Sequence, residues 1–465
     1  MATYEEIVAR IDRLPISRWH NFVRVVLGFC TFFDFYDAAA IAYVLPVVIG
    51  MWHLSPGEIG LLLSSGFAGQ LVGSAFFGWI GERYGRIFAL NFSILLVSLF
   101  GLLCAFAWSY PALIVLRLIQ GIGIGGEAPM AVTYVNEISK TERRGRFVGV
   151  FQLLSPVGLV GAAIIGVWVV PHLGWQWMFI IGAAPAFAMI FIRRSIPESP
   201  RWLARHGRLA EADQVLQRIE AKISGGLTLA TPAAPLAPAQ EPVRAKIRDL
   251  FHGMYLTRTI SVWLLWFCAH SIIYGLIIWL PSLFRTVYKL PVEQSLQYSL
   301  LANIAALAMA ALVALVIDHV GRRPVLFLSY AGAAIALLAL WALKTPSPVT
   351  VMLLTALGST SISAAGLALW IYASEVYPTP MRSLGTGAAS AWGRAAAIAA
   401  PMMVGFLLSA TNNVGNVFLM FAAAGLVGAA VMFLFGVETT GKLLEEISPD
   451  IDAAVSSGKL SAVPR

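Results

Sequence analysis

Charge is what this sequence has least of. Lys, Arg, Asp and Glu together make up 12% of its 465 residues, where a soluble domain carries about a quarter. That scarcity excludes an ordinary soluble domain. Cysteine is also rare. Its three copies, Cys30, Cys104 and Cys268, each sit inside an apolar run, with no CxxC and no Cys/His cluster. A disulfide framework and a cysteine-based metal site are therefore not expected. No cleavable leader is visible, because residues 1–18 are polar and charged and no small-residue cleavage pattern follows the first apolar run. A nucleophile–base constellation, a metal-ligand spacing and a phosphate-cradling loop are missing too. The run Gly121-Ile122-Gly123-Ile124-Gly125-Gly126 looks superficially like a nucleotide loop but lies mid-helix in apolar sequence. Neither an enzyme nor an ATP-driven pump is expected, and no cofactor.

What is present is hydrophobicity, at 58% of residues and arranged in long runs. The class is a multi-pass membrane protein. Apolar spans of about 20 residues predict twelve helices, at roughly 22–48, 58–80, 87–108, 111–135, 146–170, 175–196, 259–284, 294–317, 323–343, 348–373, 384–409 and 415–436. Of 32 Lys and Arg, only Arg285, Lys289 and Lys344 fall in loops opposite the termini. Arg117 and Arg394 lie within helices, and the other 27 lie on the side of the termini. The positive-inside rule makes that side cytoplasmic and accounts for the net charge of +8 without nucleic acid. Residues 197–257 divide the chain. They begin with alternating charges at helical spacing, pass through an Ala/Pro-rich stretch at 228–242, and return to charge. The expected organisation is a six-helix bundle at 1–196, a cytoplasmic linker with short helices at 197–257, a second bundle at 258–437 and a tail at 438–465.

Two loops occur twice. Gly78-Trp79-Ile80-Gly81-Glu82-Arg83-Tyr84-Gly85-Arg86 has a counterpart in Val316-Ile317-Asp318-His319-Val320-Gly321-Arg322-Arg323. Asn136-Glu137-Ile138-Ser139-Lys140-Thr141-Glu142-Arg143-Arg144-Gly145 is matched by Ser374-Glu375-Val376-Tyr377-Pro378-Thr379-Pro380-Met381-Arg382-Ser383. The same order at half-chain spacing marks an internal repeat. These loops resemble the signature loops of the major facilitator superfamily. Pro197-Glu198-Ser199-Pro200-Arg201-Trp202-Leu203 and the 437–446 segment (Val437-Glu438-Thr439-Thr440-Gly441-Lys442 onward) resemble the two end-of-bundle motifs of its sugar-porter-like branch. The resemblance covers nearly the whole chain and implies an all-α fold of twelve transmembrane helices in two six-helix bundles. It further implies that Glu82, Arg83, Arg86, Glu137, Arg144, Glu198, Arg201, Asp318, Arg322, Glu375 and Arg382 act in gating, through ion pairs and helix termini at the cytoplasmic ends. The plainer alternative is that they only anchor topology.

Within that branch, the stretch from Leu116 to Pro129, together with Trp263-Leu264-Leu265-Trp266-Phe267, Tyr274-Gly275, Trp279-Leu280-Pro281-Ser282 and Gly393-Arg394, is similar to bacterial niacin and aromatic-acid transporters. Synaptic-vesicle glycoproteins and organic-ion transporters share the likeness. The sequence departs from true sugar porters at 270–275, which has no glutamine. Gln152 could still face a sugar.

Ionisable groups within the spans cost about 2.5–3.5 kcal/mol each and ask for a reason. Arg394 has no acid near it in sequence, and a guanidinium fork suits a carboxylate. The organic-anion transporters it resembles carry arginine here, so an anionic substrate is expected. A structural pair with an acid on another helix is the alternative. Asp34 and Asp37, three apart, share roughly one face and are candidates for proton coupling or for helix packing. Glu127 is a second proton candidate, and Arg117 is expected to pair with Asp34 or Asp37. Trp263, Trp266, His270 and Tyr274 form one stripe, as a packing face or as substrate contacts. Trp370, Tyr372 and Trp392 add rings, and Asn303 adds an amide.

These features predict a proton-coupled importer of a small aromatic monocarboxylate, with nicotinate first, working by alternating access at a midplane site. Another organic anion or a hexose is the alternative within transport, and a non-transporting receptor or scaffold the alternative from another class. The expected partners are a small organic anion, protons and the bilayer, for a monomer in a bacterial inner membrane with both termini cytoplasmic.

Overall fold

The computed structural model describes residues 3–139, 154–224, 246–343 and 346–440. Within lipid a backbone must satisfy its own hydrogen bonds, so apolar runs of this length fold as helices. The first part of the chain forms α1 (Tyr4–Asp12), α2 (Arg18–Trp52), α3 (Pro56–Tyr84), α4 (Arg86–Ala105), α5 (Tyr110–Ile138), α6 (Leu154–Leu173), α7 (Gln176–Gly182) and α8 (Pro185–Ser195). Two short polar helices follow, α9 (Pro200–Arg205) and α10 (Leu209–Ser224). After a 3-10 turn at Ile247–Phe251 come α11 (Met254–Ile272), a π turn (Ile273–Ile277), α12 (Ile278–Thr286), α13 (Val292–Val320), α14 (Arg322–Ala342), α15 (Pro348–Val376), α16 (Thr379–Thr411) and α17 (Val414–Phe435).

Among the described residues ten helices are long and apolar enough to cross a membrane, with α11 through α12 counted as one span, and Val157–Leu173 and Gln176–Phe187 are shorter apolar helices. This fits the twelve-helix expectation. The span predicted at 175–196 is broken into α7 and α8 at Ala183 and Ala184. The start of the one predicted at 146–170 lies outside the described residues. Pro129 lies inside α5, which runs through it from Tyr110 to Ile138.

The chain packs as two units. One is Met1–Val44 with Ser65–Glu241, and the other is Leu45–Ser64 with Pro242–Arg465. In the first, glycines let α3 and α5 touch backbone to backbone. Gly121 faces the carbonyl of Gly66, and Gly125 that of Gln70. Gly69 and Gly73 in turn lie on the backbone of Leu118 and Ile122. A Cβ at any of these positions would strike a main-chain atom, so the sequence holds small residues there. This approach fixes how deep the polar groups of α5 sit.

The same unit includes α1. Ile7, Ile11 and Leu14 are buried in one cluster with Ala212, Leu216 and Ile219 of α10. The charged face of α1 meets α10 as well. Arg10 pairs with Asp213 at 2.5 Å and Glu220 at 2.7 Å, Arg13 pairs with Glu220 at 2.7 Å, and Asp12 accepts from Arg201 of α9 at 3.0 Å. The helical linker expected from its alternating charges is thus held to the N-terminal helix. The Ala/Pro-rich stretch lies outside the described residues.

In the second unit, Tyr330 of α14 donates its hydroxyl to the Leu265 carbonyl of α11 at 2.5 Å. Gly425 and Gly428 of α17 lie against the backbone near Tyr330 and against its ring. These contacts fix α11, which carries the aromatic stripe.

Candidate functional site

The doubled loops build the same device twice. Gly85 and Gly321 adopt φ of 110° and 100°, a region that disfavours any residue with a Cβ. Each turns the chain into a new helix at Arg86 or Arg322. In the first unit the Glu198 carboxylate accepts from the Arg86 N–H at 3.0 Å and the Ile87 N–H at 3.2 Å. In the second, Glu438 accepts from Arg322 N–H at 3.0 Å and Arg323 N–H at 3.1 Å. Both carboxylates sit on the free amides of a helix N-terminus, where the dipole favours negative charge. The arginine side chains complete the clusters. Arg86 donates to Glu137 at 3.2 Å and to Glu82 at 2.8 Å. Arg322 donates to Glu375 at 3.0 Å and pairs with Asp318 at 2.8 Å. Trp202 ties its indole N–H to the Glu82 carbonyl at 3.0 Å.

Other residues grouped with these by resemblance have different surroundings. Arg83 lies over the rings of Trp79 and Tyr84, with its guanidinium 5.6 and 5.8 Å from their centres. Arg201 pairs with Asp12 of α1. Arg382 is half-buried near the start of α16, and Arg144 lies outside the described residues. Glu438 was legible only as part of a motif, yet it is the counterpart of Glu198.

A second constellation lies in the interior of the first unit. Asp34 and Arg117 are each 3% exposed, and Asp37 and Glu127 are fully buried. Their spacing groups Asp34 with Asp37, but the fold divides them. Asp34 of α2 and the Cys30 thiol one turn before it have Glu127 of α5 as an electrostatic neighbour. Asp37 faces Gly182 and has Arg117 as its nearby opposite charge. The guanidinium makes its hydrogen bonds to the Asp37 main-chain carbonyl at 3.3 Å and to Gln120 at 2.8 Å. Its face lies 5.8 Å from the Phe179 ring centre. Among the described residues no N–H or hydroxyl donor reaches the carboxyl oxygens of Asp34, Asp37 or Glu127.

The third constellation belongs to the second unit. The Trp266 and His270 rings stack 4.9 Å apart and 6° from parallel, and His270 Nδ1 lies 2.8 Å from the Trp266 carbonyl. Trp370 meets Trp266 edge-on at 4.6 Å, and Tyr274 lies 5.8 Å from His270. Gly393 presses on the Trp266 and His270 rings, so the next residue, Arg394, is held beside them with Tyr274 as its electrostatic neighbour. Tyr274 sits in the π turn, where the register shift re-aims its side chain. The buried indole N–H groups of Trp263 and Trp266 have no acceptor among the described residues, and no acid there pairs with Arg394. A cation and two buried indole N–H groups thus belong to the aromatic-rich part of the second unit.

The family model for "Sugar (and other) transporter" matches residues 21–451. The chain belongs to this family of the major facilitator superfamily. It is 34% identical over 443 residues to the niacin transporter NiaP of Acinetobacter baylyi, covering 95% of this chain and 99% of that protein. The synaptic vesicle 2-related protein of Xenopus laevis is 27% identical over 457 residues, covering 94% of this chain and 82% of that one. Among solved structures, the xylose transporter XylE of E. coli in a partially occluded inward-open conformation superposes with a TM-score of 0.72 at 19% identity, over 92% of this chain and all of that one. The protein is accordingly a multi-pass membrane transporter and not an enzyme.

Of three further residues suggested for substrate in this transporter, two make hydrogen bonds within the second unit and the third is not among the described residues. The Tyr372 hydroxyl accepts from the Val437 N–H at 3.0 Å and is spent on the end of the second unit. Asn303 donates its amide to Ser299 of its own helix at 3.1 Å. Gln152 lies outside the described residues. Trp392 remains with the aromatic cluster, 5.4 Å from Trp263, and both it and Trp370 keep ring surface exposed.

The paired helix-terminus glutamates of this transporter respond to pH in opposite senses. At Glu198 burial dominates and holds the carboxyl above its usual range, only partly offset by the amides of Ser199, Ile87 and Arg86. At Glu438 burial also pushes upward, but hydrogen bonds from Thr440, Arg322 and Arg323 outweigh it and hold the carboxyl low. A depressed carboxyl contributes stability above its unfolded value of about 4.3 and loses it as pH falls through the folded value. A raised one contributes below that unfolded value and loses it as pH rises through the folded value. The melting deficit of Glu438→Gln is therefore expected at neutral pH and should vanish in strong acid. The wild type should gain relative to Glu198→Gln on acidification from neutral pH. Melting curves of both variants across pH test this, and an identical pH response in the two would refute it.

Proposed function

We propose that this transporter imports a small aromatic monocarboxylate, with nicotinate the first substrate to test, driven by the proton gradient through alternating exposure of its site. The observation that carries the reading is Arg394, a cation with no acidic partner among the described residues, set beside the Trp266–His270 stack and two unsatisfied indole N–H groups. A carboxylate can take the guanidinium fork while its ring packs on the aromatics. The niacin transporter among its relatives supports the same class. The buried carboxyls of the first unit support protons as the coupling ion. A hexose draws support from the family name, but the helix carrying His270 has no glutamine at 270–275 to hold sugar hydroxyls. A scaffold would have no use for charges that cost this much to bury. We place the termini on the cytoplasmic face of a bacterial inner membrane, from the distribution of Lys and Arg, and treat the monomer as the working unit.

The test is uptake of labelled nicotinate by cells expressing the chain, with and without a protonophore. Protonophore-sensitive uptake is expected, with weak competition from nicotinamide, which lacks the carboxylate. No uptake by a folded, membrane-inserted protein would rule out nicotinate. Benzoates and hexoses are then tested in the same assay.

A further inference from the structure

We propose that Gln120 is a positioning residue of this transporter: it holds the Arg117 guanidinium off the Asp37 carboxyl and so sets the pH at which Asp37 exchanges a proton. That this exchange is the one coupled to transport rests on the proton-driven reading above. The positioning role does not.

A cation and an acid lie unjoined in the interior of the first unit. Among the described residues no donor reaches either carboxyl oxygen of Asp37, and Arg117 Nε has no acceptor. The hydrogen bond between the two residues runs instead from Nη1 to the Asp37 main-chain carbonyl, at 3.3 Å. Out of water, a guanidinium and a carboxylate gain strongly by meeting, so another group must hold one of them. That group is Gln120, whose Oε1 accepts from the same Nη1 at 2.8 Å. Arginine only donates, so the amide has to present its oxygen there. Its Nε2 is left buried with no acceptor among the described residues. Helix α4 backs this amide, with Cys104 Sγ 3.9 Å from Oε1, and a Cβ added at Gly101 would lie 2.7 Å from Nε2. Gly66 of α3 and Gly182 of α7 are placed in the same way against Arg117 Nη2 and the Asp37 carboxyl.

The titratable neighbours of the Asp37–Arg117 pair are Asp34 and Tyr36 of α2, Cys104 of α4 and Glu127 of α5. From α3 and α7 the pair meets Gly66, Gly182 and the Phe179 ring. No second cation is among them. A guanidinium seated on Gln120 gives the Asp37 carboxylate no hydrogen bond, which favours a bound proton, whereas contact with the carboxylate favours its release. The proton then leaves to solvent, and the guanidinium keeps its own. Gln120 thus offers the cation a neutral second seat, and the two seats are the two states that protonation of Asp37 selects.

The test is infrared titration of the full-length protein in lipid nanodiscs, with aspartate ¹³C-labelled at the side-chain carboxyl. The Asp37 signal is the labelled C=O band that disappears in Asp37→Asn. Gln120→Met removes the acceptor at similar size, so the guanidinium turns to Asp37. The midpoint of the band is then expected to fall, by roughly 1–3 pH units. Gln120→Glu keeps size and acceptor but adds an anion that holds the cation and repels a second carboxylate, so the midpoint is expected to rise. Packing damage alone would not move the two variants in opposite directions, and Gln120→Glu carries the test where Gln120→Met fails to fold. Midpoints that stay put, or that move the same way, would overturn the proposal. So would the lack of an Asp37-dependent band at every pH where the protein stays folded. Initial nicotinate uptake by proteoliposomes is then measured against pH, and its midpoint is expected to move with the band. A band that moves while the uptake profile does not refutes the link to transport and upholds the positioning. Wild-type protein that carries no nicotinate sinks the substrate reading, and the infrared result still decides the role of Gln120.

Discussion

Arg394→Ala is expected to reduce nicotinate uptake by about 30-fold to several-thousand-fold. That is the range implied by the roughly 2–5 kcal/mol that truncating one partner of a desolvated charge contact costs. The side chain stands beside the Trp266–His270 stack with Tyr274 as its neighbour and no acid of the described chain to neutralise it. Its removal should leave the fold intact, since no described ion pair depends on it. Arg394→Lys keeps the charge but loses the planar fork, so an intermediate loss is expected. The measurement is initial uptake rate, normalised to the amount of folded protein in the membrane. If Arg394→Ala carries nicotinate as well as the wild type does, the carboxylate is bound elsewhere and the aromatic cluster is only a packing face.

Arg117→Leu is expected to be the most destabilising single change in the first unit, by roughly 3–5 kcal/mol, the cost of leaving one charge of a buried pair alone. Arg117 is 3% exposed and Asp37 fully buried, so water cannot take over from the lost cation. The same change removes a hydrogen bond from the Asp37 carbonyl and from Gln120, both of which accept from the guanidinium. The double variant Arg117→Leu with Asp37→Asn removes both charges and is expected to recover most of the melting temperature. The comparison is of thermal melts of the two variants and the wild type in one detergent. A single variant as stable as the wild type would mean that Asp37 is neutral in the fold, and the charge accounting of the unit would have to be redone.

The clamp at the doubled loops was the most readable part of the chain. Its partners lie on short, charged, glycine-punctuated loops, and a helix that starts after Gly85 or Gly321 must satisfy its first amides with something nearby. Glu198 and Glu438 do so with the same geometry. Arg83 was less readable, because a position in a charged loop does not say whether a guanidinium meets a carboxylate or the faces of Trp79 and Tyr84. Tyr372 is two residues from Trp370 and so lies on a different side of α15, where its hydroxyl meets the Val437 amide instead of the ring cluster.

The sequence by itself determined the membrane class, the approximate helices and the two-fold repetition. These follow from properties of single segments, namely apolar length set against bilayer thickness and a backbone that must bond to itself in lipid. It also marked Arg394, Asp34, Asp37, Glu127 and Arg117, since any ionisable side chain inside such a run stands out. Only the tertiary structure decided who faces whom. Helical spacing places Asp34 and Asp37 on one face of α2, but it cannot say which groups α5 brings to that face. The approach of α3 and α5 along Gly121 and Gly125 sets the depth of α5, with Asp34 beside Glu127 and Arg117 beside Asp37. Electrostatic coupling varies inversely with separation and strengthens out of water, so the balance of charge within the unit is decided by helix packing.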